Sequence, residues 1–354
     1  MVQRVQSTYI RAPDLIDRQH HARAWGTGSI NPRRSGMVYA IDGRERWVVH
    51  NYMKPGEGDF ESVDRDACIR TILGVGADFD YEITSKEDWY GRRLIAEKFR
   101  DRGAFIAGDA AHIWLPYAGY GMNAGIADAM NLSWLLAAHL NGWAPSTILD
   151  AYEAERWPIT NQVSRFAMSH AEAEIRRRGA IPDEIEDAGP KGEVARREVG
   201  RLTYEINVQQ YACAGLNFGT YYDRSPIIAY DGSQHPAYTM DSYTPSTVPG
   251  CRTPHLWRAD GSSLYDAMGP EFTLLRLDPA LEIAPLEAAA RNRGVPLKLL
   301  DVERPTAIFY GGGLVLSRPD QHVAWRGNTL PADPLALIDR VRGAAGQVAR
   351  IGTA

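Results

Sequence analysis

One carboxylate and a group of glycines stand close enough in the chain to build a site for a polar, partly anionic molecule. Asp109 follows Gly108 at the end of a short apolar run, Ala104 to Ala107. A carboxylate at a strand's C-terminal edge can reach a ligand's hydroxyls. Twelve residues on, Gly121-Met122-Asn123 opens a helix, and the unpaired backbone N–H groups of a helix start favour negative charge. Gly119, Gly121 and Gly125 permit close backbone approach because no side chain intervenes, and Pro116 stiffens the loop. A tight glycine turn capping a core helix, with Asp109 as its local cap, meets the same spacing. His112 reads as a structural hydrogen-bonding residue rather than a general base. Neither a paired nucleophile nor a metal-ligand spacing accompanies the group.

Positioning these residues takes a strand, a loop and a long helix. The helix is predicted from near Met122, with Ile126, Met130, Trp134 and Ala138 along one stripe, and it stops at Asn141-Gly142. A second helix follows Pro145-Ser146-Thr147 and runs to Arg176-Arg177-Arg178-Gly179, three cations that suit the negative end of a helix macrodipole. A third, more polar helix is expected from Gly192 to Gln210. Upstream, residues 1 to about 100 read as short strands and turns. The clearest is a hairpin of Val38 to Ile41, an Asp42-Gly43 turn, and Arg46 to Met53. Alternation sends Trp47, Val49, Asn51 and Met53 to one face and Val48, His50 and Tyr52 to the other. His50 reads as a histidine hydrogen-bonded on a half-exposed sheet. Downstream, prolines and glycines between residues 217 and 263 mark a long loop. Phe272 to Leu277, a helix over Ile283 to Arg293, Lys298 to Val302, the GLVLSRP and HVAWRG strands and a helix from Pro334 to Arg342 then form a small α/β unit.

The full string G-D-A-A-H-x-x-x-P-x-x-G-x-G-M-N-x-G-x-x-D-A-x-N-L, Gly108 to Leu132, is far more specific than its glycines. It closely resembles the second flavin-binding motif of the class A flavin-dependent aromatic hydroxylases, the family of p-hydroxybenzoate hydroxylase and phenol hydroxylase. The likeness runs from Trp89-Tyr90-Gly91-Arg92-Arg93 through Asp128-Ala129 and Asn131-Leu132 to Tyr152-Glu153-Ala154-Glu155-Arg156 and about His170. It implies that Asp109 binds the ribityl chain of FAD and that Gly121 to Asn123 face the pyrimidine edge of the flavin. Pro116 then lies beside the flavin carbon that meets oxygen. Gly108, Asp109, Pro116, Gly119, Gly121, Met122 and Asn123 are the cofactor-binding residues the resemblance implies, and no catalytic side chain is assigned. The segments from Pro249 to Arg276 and from Arg318 to Gly327 resemble the thioredoxin-like domain of the phenol-hydroxylase branch. Residues 264 to 354 contain no cysteine, so dithiol exchange is excluded there and packing or dimer formation remains.

The implied fold class is α/β: part of a glutathione-reductase-like FAD-binding domain, a substrate-domain sheet and a C-terminal thioredoxin-like domain. The expected boundaries are residues 1–95 for the rest of the substrate sheet, 96–215 for the C-terminal part of the FAD domain, 216–262 for a loop-rich linker and 263–354 for the thioredoxin-like domain. The family's opening strand, G-x-G-x-x-G turn and helix have no counterpart; Gly26-Thr27-Gly28 lacks the third glycine and the flanking βαβ pattern. The chain therefore reads as the C-terminal two-thirds of a longer hydroxylase. The resemblance implies an enzyme that uses NAD(P)H and O2 to hydroxylate a small phenolic substrate. Other readings are an incomplete binding or dimerisation fragment, and a flavoprotein oxidase or reductase.

Composition narrows the partners. Lys plus Arg is 39 against 44 Asp plus Glu, a net charge of −5, so no basic excess exists to bind nucleic acid. The most apolar stretch, Met130 to Leu140, is short and holds Asn131 and His139, which argues against a membrane span, and the first residues lack a signal peptide's apolar region. Cys68, Cys213 and Cys251 are odd in number and far apart, which suits a reducing, cytoplasmic setting.

Overall fold

A carboxylate closes the predicted hairpin: Asp42 Oδ1 accepts from the backbone N–H groups of Arg44, Glu45 and Arg46. Gly43 beside it takes φ +68°, a value that favours glycine. The structure, a computed structural model, describes residues 3–18, 22–302 and 312–345. It divides into two units: residues 1–94, 114–117 and 167–210, and residues 95–113, 118–166 and 211–354.

In the first unit the strands are β1 (Gln3–Arg11), β2 (Gly26–Ser29), β3 (Gly36–Ala40), β4 (Arg46–Tyr52), β5 (Glu82–Lys86) and β6 (Trp89–Gly91). They form one antiparallel sheet in the order β2-β3-β4-β1-β5, with β6 also paired to β1. A short helix, α1 (Leu15–Arg18), follows β1, and α2 (Arg65–Leu73) lies between β4 and β5. Local sequence delimits α2: Asp64 accepts from Ala67 N–H at the start and Gly74 adopts φ +70° at the end. Ile69 and Ile72 of α2 join Ile10, Val38, Trp47, Val49 and Phe79 in one core, each fully buried large apolar side chain contributing roughly 1.5–3 kcal/mol relative to exposure. The hairpin's predicted alternation is present, with Trp47 and Val49 in this core and His50 and Tyr52 on the opposite face.

The second unit begins with the short strands β7 (Leu94–Ile95), β8 (Arg100–Asp101), β9 (Ala104–Phe105) and β10 (His112–Ile113). Then come α3 (Tyr120–Leu140), the long α4 (Asp150–Gly179), α5 (Pro190–Tyr211) and α6 (Ala214–Phe218); α4 beyond Phe166 and α5 as far as Gln210 belong to the first unit. After an irregular stretch, α7 (Leu264–Ala267), β11 (Phe272–Arg276), α8 (Ala284–Arg293), β12 (Leu297–Asp301), β13 (Leu314–Ser317), β14 (Val323–Gly327) and α9 (Pro334–Val341) complete the chain. The sheet order is β12-β11-β13-β14, with β11 and β12 parallel and the other pairs antiparallel. A parallel βαβ unit followed by an antiparallel pair and a helix is the thioredoxin-like arrangement. Alternate residues of β11 and β13 pack into two cores. Phe272, Leu274, Leu314 and Leu316 meet Trp134, Leu135 and Ala138 of α3, and Leu275, Leu277 and Val315 meet Leu256, Leu264 and Met268.

The predicted stripe of α3 needs correction. Trp134 and Ala138 are buried, but Ile126 and Met130 are 58% and 48% exposed. Strict four-residue spacing advances 40° per step on a 3.6-residue helix, so such a stripe winds off the core face within three steps. The buried face mixes three- and four-residue steps, Ala124, Asp128, Asn131, Leu135 and Ala138, and it includes an acid and an amide. Among the described residues, no helix is long and apolar enough to cross a membrane.

Candidate active site

Two glycines let a turn cross a helix. After β9 the chain makes a 3-10 turn over Gly108–Ala110, and Gly108 takes φ +56°. A Cβ on Gly125 would lie 3.2 Å from Gly108 Cα, so a side chain at residue 125 would require the turn to give by a few tenths of an ångström. Asp109 is exposed on the turn and has no hydrogen-bond or ion-pair partner among the described residues. The start of α3 is equally unsatisfied. Its N-cap is Gly119, at φ +67°, and no side chain caps the first N–H groups; Asn123 instead donates to the Gly119 carbonyl at 2.8 Å. Cβ atoms at Gly119 or Gly121 would meet nothing within 4 Å, and Met122 is 73% exposed. Six of the expected residues, Gly108, Asp109, Gly119, Gly121, Met122 and Asn123, thus belong to the second unit. Pro116, exposed in the loop before Tyr117, belongs to the segment 114–117 of the first.

The turn is held from below by a residue to which the sequence reading gave no role. Asp128 is fully buried and accepts from Gly108 N–H at 3.1 Å, meets His112 Nε2 at 2.7 Å and accepts from Arg156 Nε at 2.9 Å. Burial alone would raise its pKa, but the hydrogen bond to His112 and the charge of Arg156 hold it below the usual carboxylate range. His112 is accordingly a buried partner of Asp128. One turn further along α3, Asn131 donates to Glu155 at 2.7 Å. Glu155 in turn takes a bidentate pair from Arg318 at 2.6 and 2.8 Å, and Arg318 also donates to Asp320 at 3.0 Å. Arg318 lies over the rings of Trp134 and Tyr222. All four partners stand within the stretch that carries the likeness, Asp128 and Asn131 in the string itself and Glu155 and Arg156 beyond it; what the sequence conceals is which faces which.

An exposed acid without a partner, an uncapped helix start and open glycine positions fit a ligand with hydroxyls at one point and electron-rich atoms at another. Comparison with known proteins identifies the domains. Residues 3–167 match the family described as FAD binding domain, and residues 246–346 match that described as aromatic-ring hydroxylase, C-terminal. The chain is 33% identical over 324 residues to a putative polyketide hydroxylase of Streptomyces halstedii, covering 84% of this chain and 54% of that protein. It is 31% identical to phenol 2-monooxygenase of Pseudomonas sp. (strain EST1001), covering 83% and 53%. Among solved structures, the rebeccamycin biosynthetic enzyme RebC with reduced flavin superposes with a TM-score of 0.84 at 32% identity, over 97% of this chain and 63% of that one. The chain belongs to the class A FAD-dependent aromatic hydroxylases. It spans between about half and two-thirds of the length of these relatives.

Proposed function

We propose that the chain carries the flavin-holding and substrate-facing parts of an FAD-dependent monooxygenase that hydroxylates a phenolic ring with NAD(P)H and O2. The observation that carries this reading is Asp109, an exposed carboxylate without a partner among the described residues, on a turn packed glycine against glycine beside the uncapped start of α3. Bound FAD supplies the electron transfer and oxygen chemistry. The chain's own groups position it. Asp109 accepts from the ribityl hydroxyls, and the N–H groups of Gly121, Met122 and Asn123 place the positive end of α3 toward the flavin's electron-rich edge, which favours its reduced, anionic form. Pro116, in segment 114–117 of the first unit, restricts the backbone of its own loop. The names of the phenol 2-monooxygenase and polyketide hydroxylase relatives point to an aromatic ring bearing oxygen as the substrate class.

Titrating FAD into the purified chain and following flavin fluorescence tests the reading. Asp109→Ala removes charge-assisted hydrogen bonds and is expected to weaken binding roughly tenfold to hundredfold. Its circular dichroism and melting should match wild type, since Asp109 has no hydrogen-bond or ion-pair partner among the described residues. Absence of FAD binding by the wild-type chain, or equal affinity in the variant, overturns the proposal.

A further inference from the structure

The sheet of the first unit presents a second unsatisfied polar group, on the face opposite the α2 core. His50 stands mid-strand in β4, directly across from Ser7 of β1, and Ser7 Oγ lies 2.7 Å from His50 Nδ1. Trp89 Nε1 donates to the same oxygen at 2.8 Å. An indole nitrogen can only donate, so Ser7 Oγ accepts there. Ser7 is buried, and its own hydroxyl proton has His50 Nδ1 as its acceptor. In that arrangement Nδ1 accepts and the imidazole carries its proton on Nε2. Burial lowers the pKa of His50, so the ring is neutral at pH 7. Nε2 has no partner among the described residues, yet it is not sealed from solvent.

Aromatic rings frame this N–H. Tyr39 lies edge-on to His50 at 5.4 Å between centroids, and Trp89 lies edge-on at 6.4 Å. Trp25 packs on Tyr39 at 5.0 Å and is 72% exposed. Further along the same face, Tyr52 is covered by the Arg178 guanidinium at 4.1 Å, so the open end is the one holding Trp25, Tyr39 and His50. A neutral imidazole presenting Nε2–H, bordered by rings and by a tryptophan left largely in water, suits a flat aromatic molecule whose oxygen accepts a hydrogen bond.

We propose that His50, oriented by Ser7 and Trp89, donates through Nε2–H to the oxygen substituent of the aromatic substrate. This rests on the aromatic-substrate reading above, but its test does not need the flavin. Binding of 1-naphthol and of naphthalene, which lacks the oxygen, is measured by quenching of tryptophan fluorescence in the purified chain. His50→Phe keeps a ring but loses the donor; it is expected to weaken naphthol about tenfold and leave naphthalene unchanged. His50→Gln, whose amide can replace Nε2–H, should recover most of the naphthol affinity and controls for misfolding. Equal effects of His50→Phe on both ligands, or none on naphthol, overturn the assignment. FAD titrations of the same variants keep the two readings apart. Loss of naphthol selectivity with FAD affinity intact supports the role of His50, whereas a wild-type chain that binds naphthol selectively but no FAD sinks only the flavin reading.

Discussion

Arg318→Met is expected to cost roughly 3–5 kcal/mol of folding stability, read as a lower urea midpoint. Arg318 is 1% exposed and its guanidinium is shared between Glu155 and Asp320. Removing it leaves two carboxylates buried near each other without their counter-charge, the situation in which a broken buried pair costs most. The charges, and not merely the packing over Trp134 and Tyr222, should carry the loss. Arg318→Met combined with Glu155→Gln and Asp320→Asn removes all three charges at similar volume and should regain half or more of it. The pH dependence separates these cases further. Burial alone would raise the pKa of Asp320, but Arg318 and His322 overcome that and hold it well below the usual range. A depressed folded-state pKa stabilises above the unfolded value of about 4 and loses that contribution as pH falls toward the folded value. In the Arg318→Met protein burial acts unopposed by that cation and protonation relieves the strain, so the gap to wild type should narrow between pH 7 and pH 4. A single variant that loses under 1 kcal/mol, or a gap that widens in acid, contradicts this account.

What the sequence reveals and what it hides divides along physical lines. Local chemistry is legible: the hairpin with Asp42-Gly43 at its turn, the ends of α4 and α5, and the strand and helix order from Phe272 to Val341 all stand close to where residue patterns place them. The helix α2 was legible too, through Asp64 before it and Gly74 after it; reading the first hundred residues as strands and turns alone passed over those caps. The glycine-rich turn and helix start stood out because a string with many fixed positions is improbable by chance. Pairing across space is another matter. Asp128 and Arg156 are separated by 28 residues, and Glu155 and Arg318 by 163. No period or local propensity couples such positions, so a buried acid on α3 looks from sequence like a solvated one. The same limit applied to His50, since its tautomer depends on Ser7 and Trp89, which stand 43 and 39 residues away. Exposure also misleads in the opposite direction, as Ile126 and Met130 show: apolar type alone did not put them in the core.

Asp128→Asn is expected to lower both stability and flavin affinity, although this side chain sits beneath the proposed binding surface and not in it. Its two oxygens join three elements. One accepts from Gly108 N–H and meets His112, and the other accepts from Arg156. An amide in its place keeps the shape but removes the counter-charge of a buried guanidinium, and it presents N–H groups where two donors already converge. A penalty of about 3–5 kcal/mol follows from leaving Arg156 unpaired in the interior. The turn bearing Asp109 then loses its anchor to α3, and the ligand must reorder it on binding, so FAD affinity should fall even at temperatures where the protein stays folded. Comparison with Asp109→Ala makes the distinction sharp. Asp109→Ala should reduce affinity at unchanged melting temperature, whereas Asp128→Asn should reduce both. If Asp128→Asn bound FAD like wild type while melting earlier, Asp128 would be a fold residue only. The turn's position would then come from the Gly108–Gly125 contact, and Gly125→Val, which crowds that crossing, would be the variant that weakens binding.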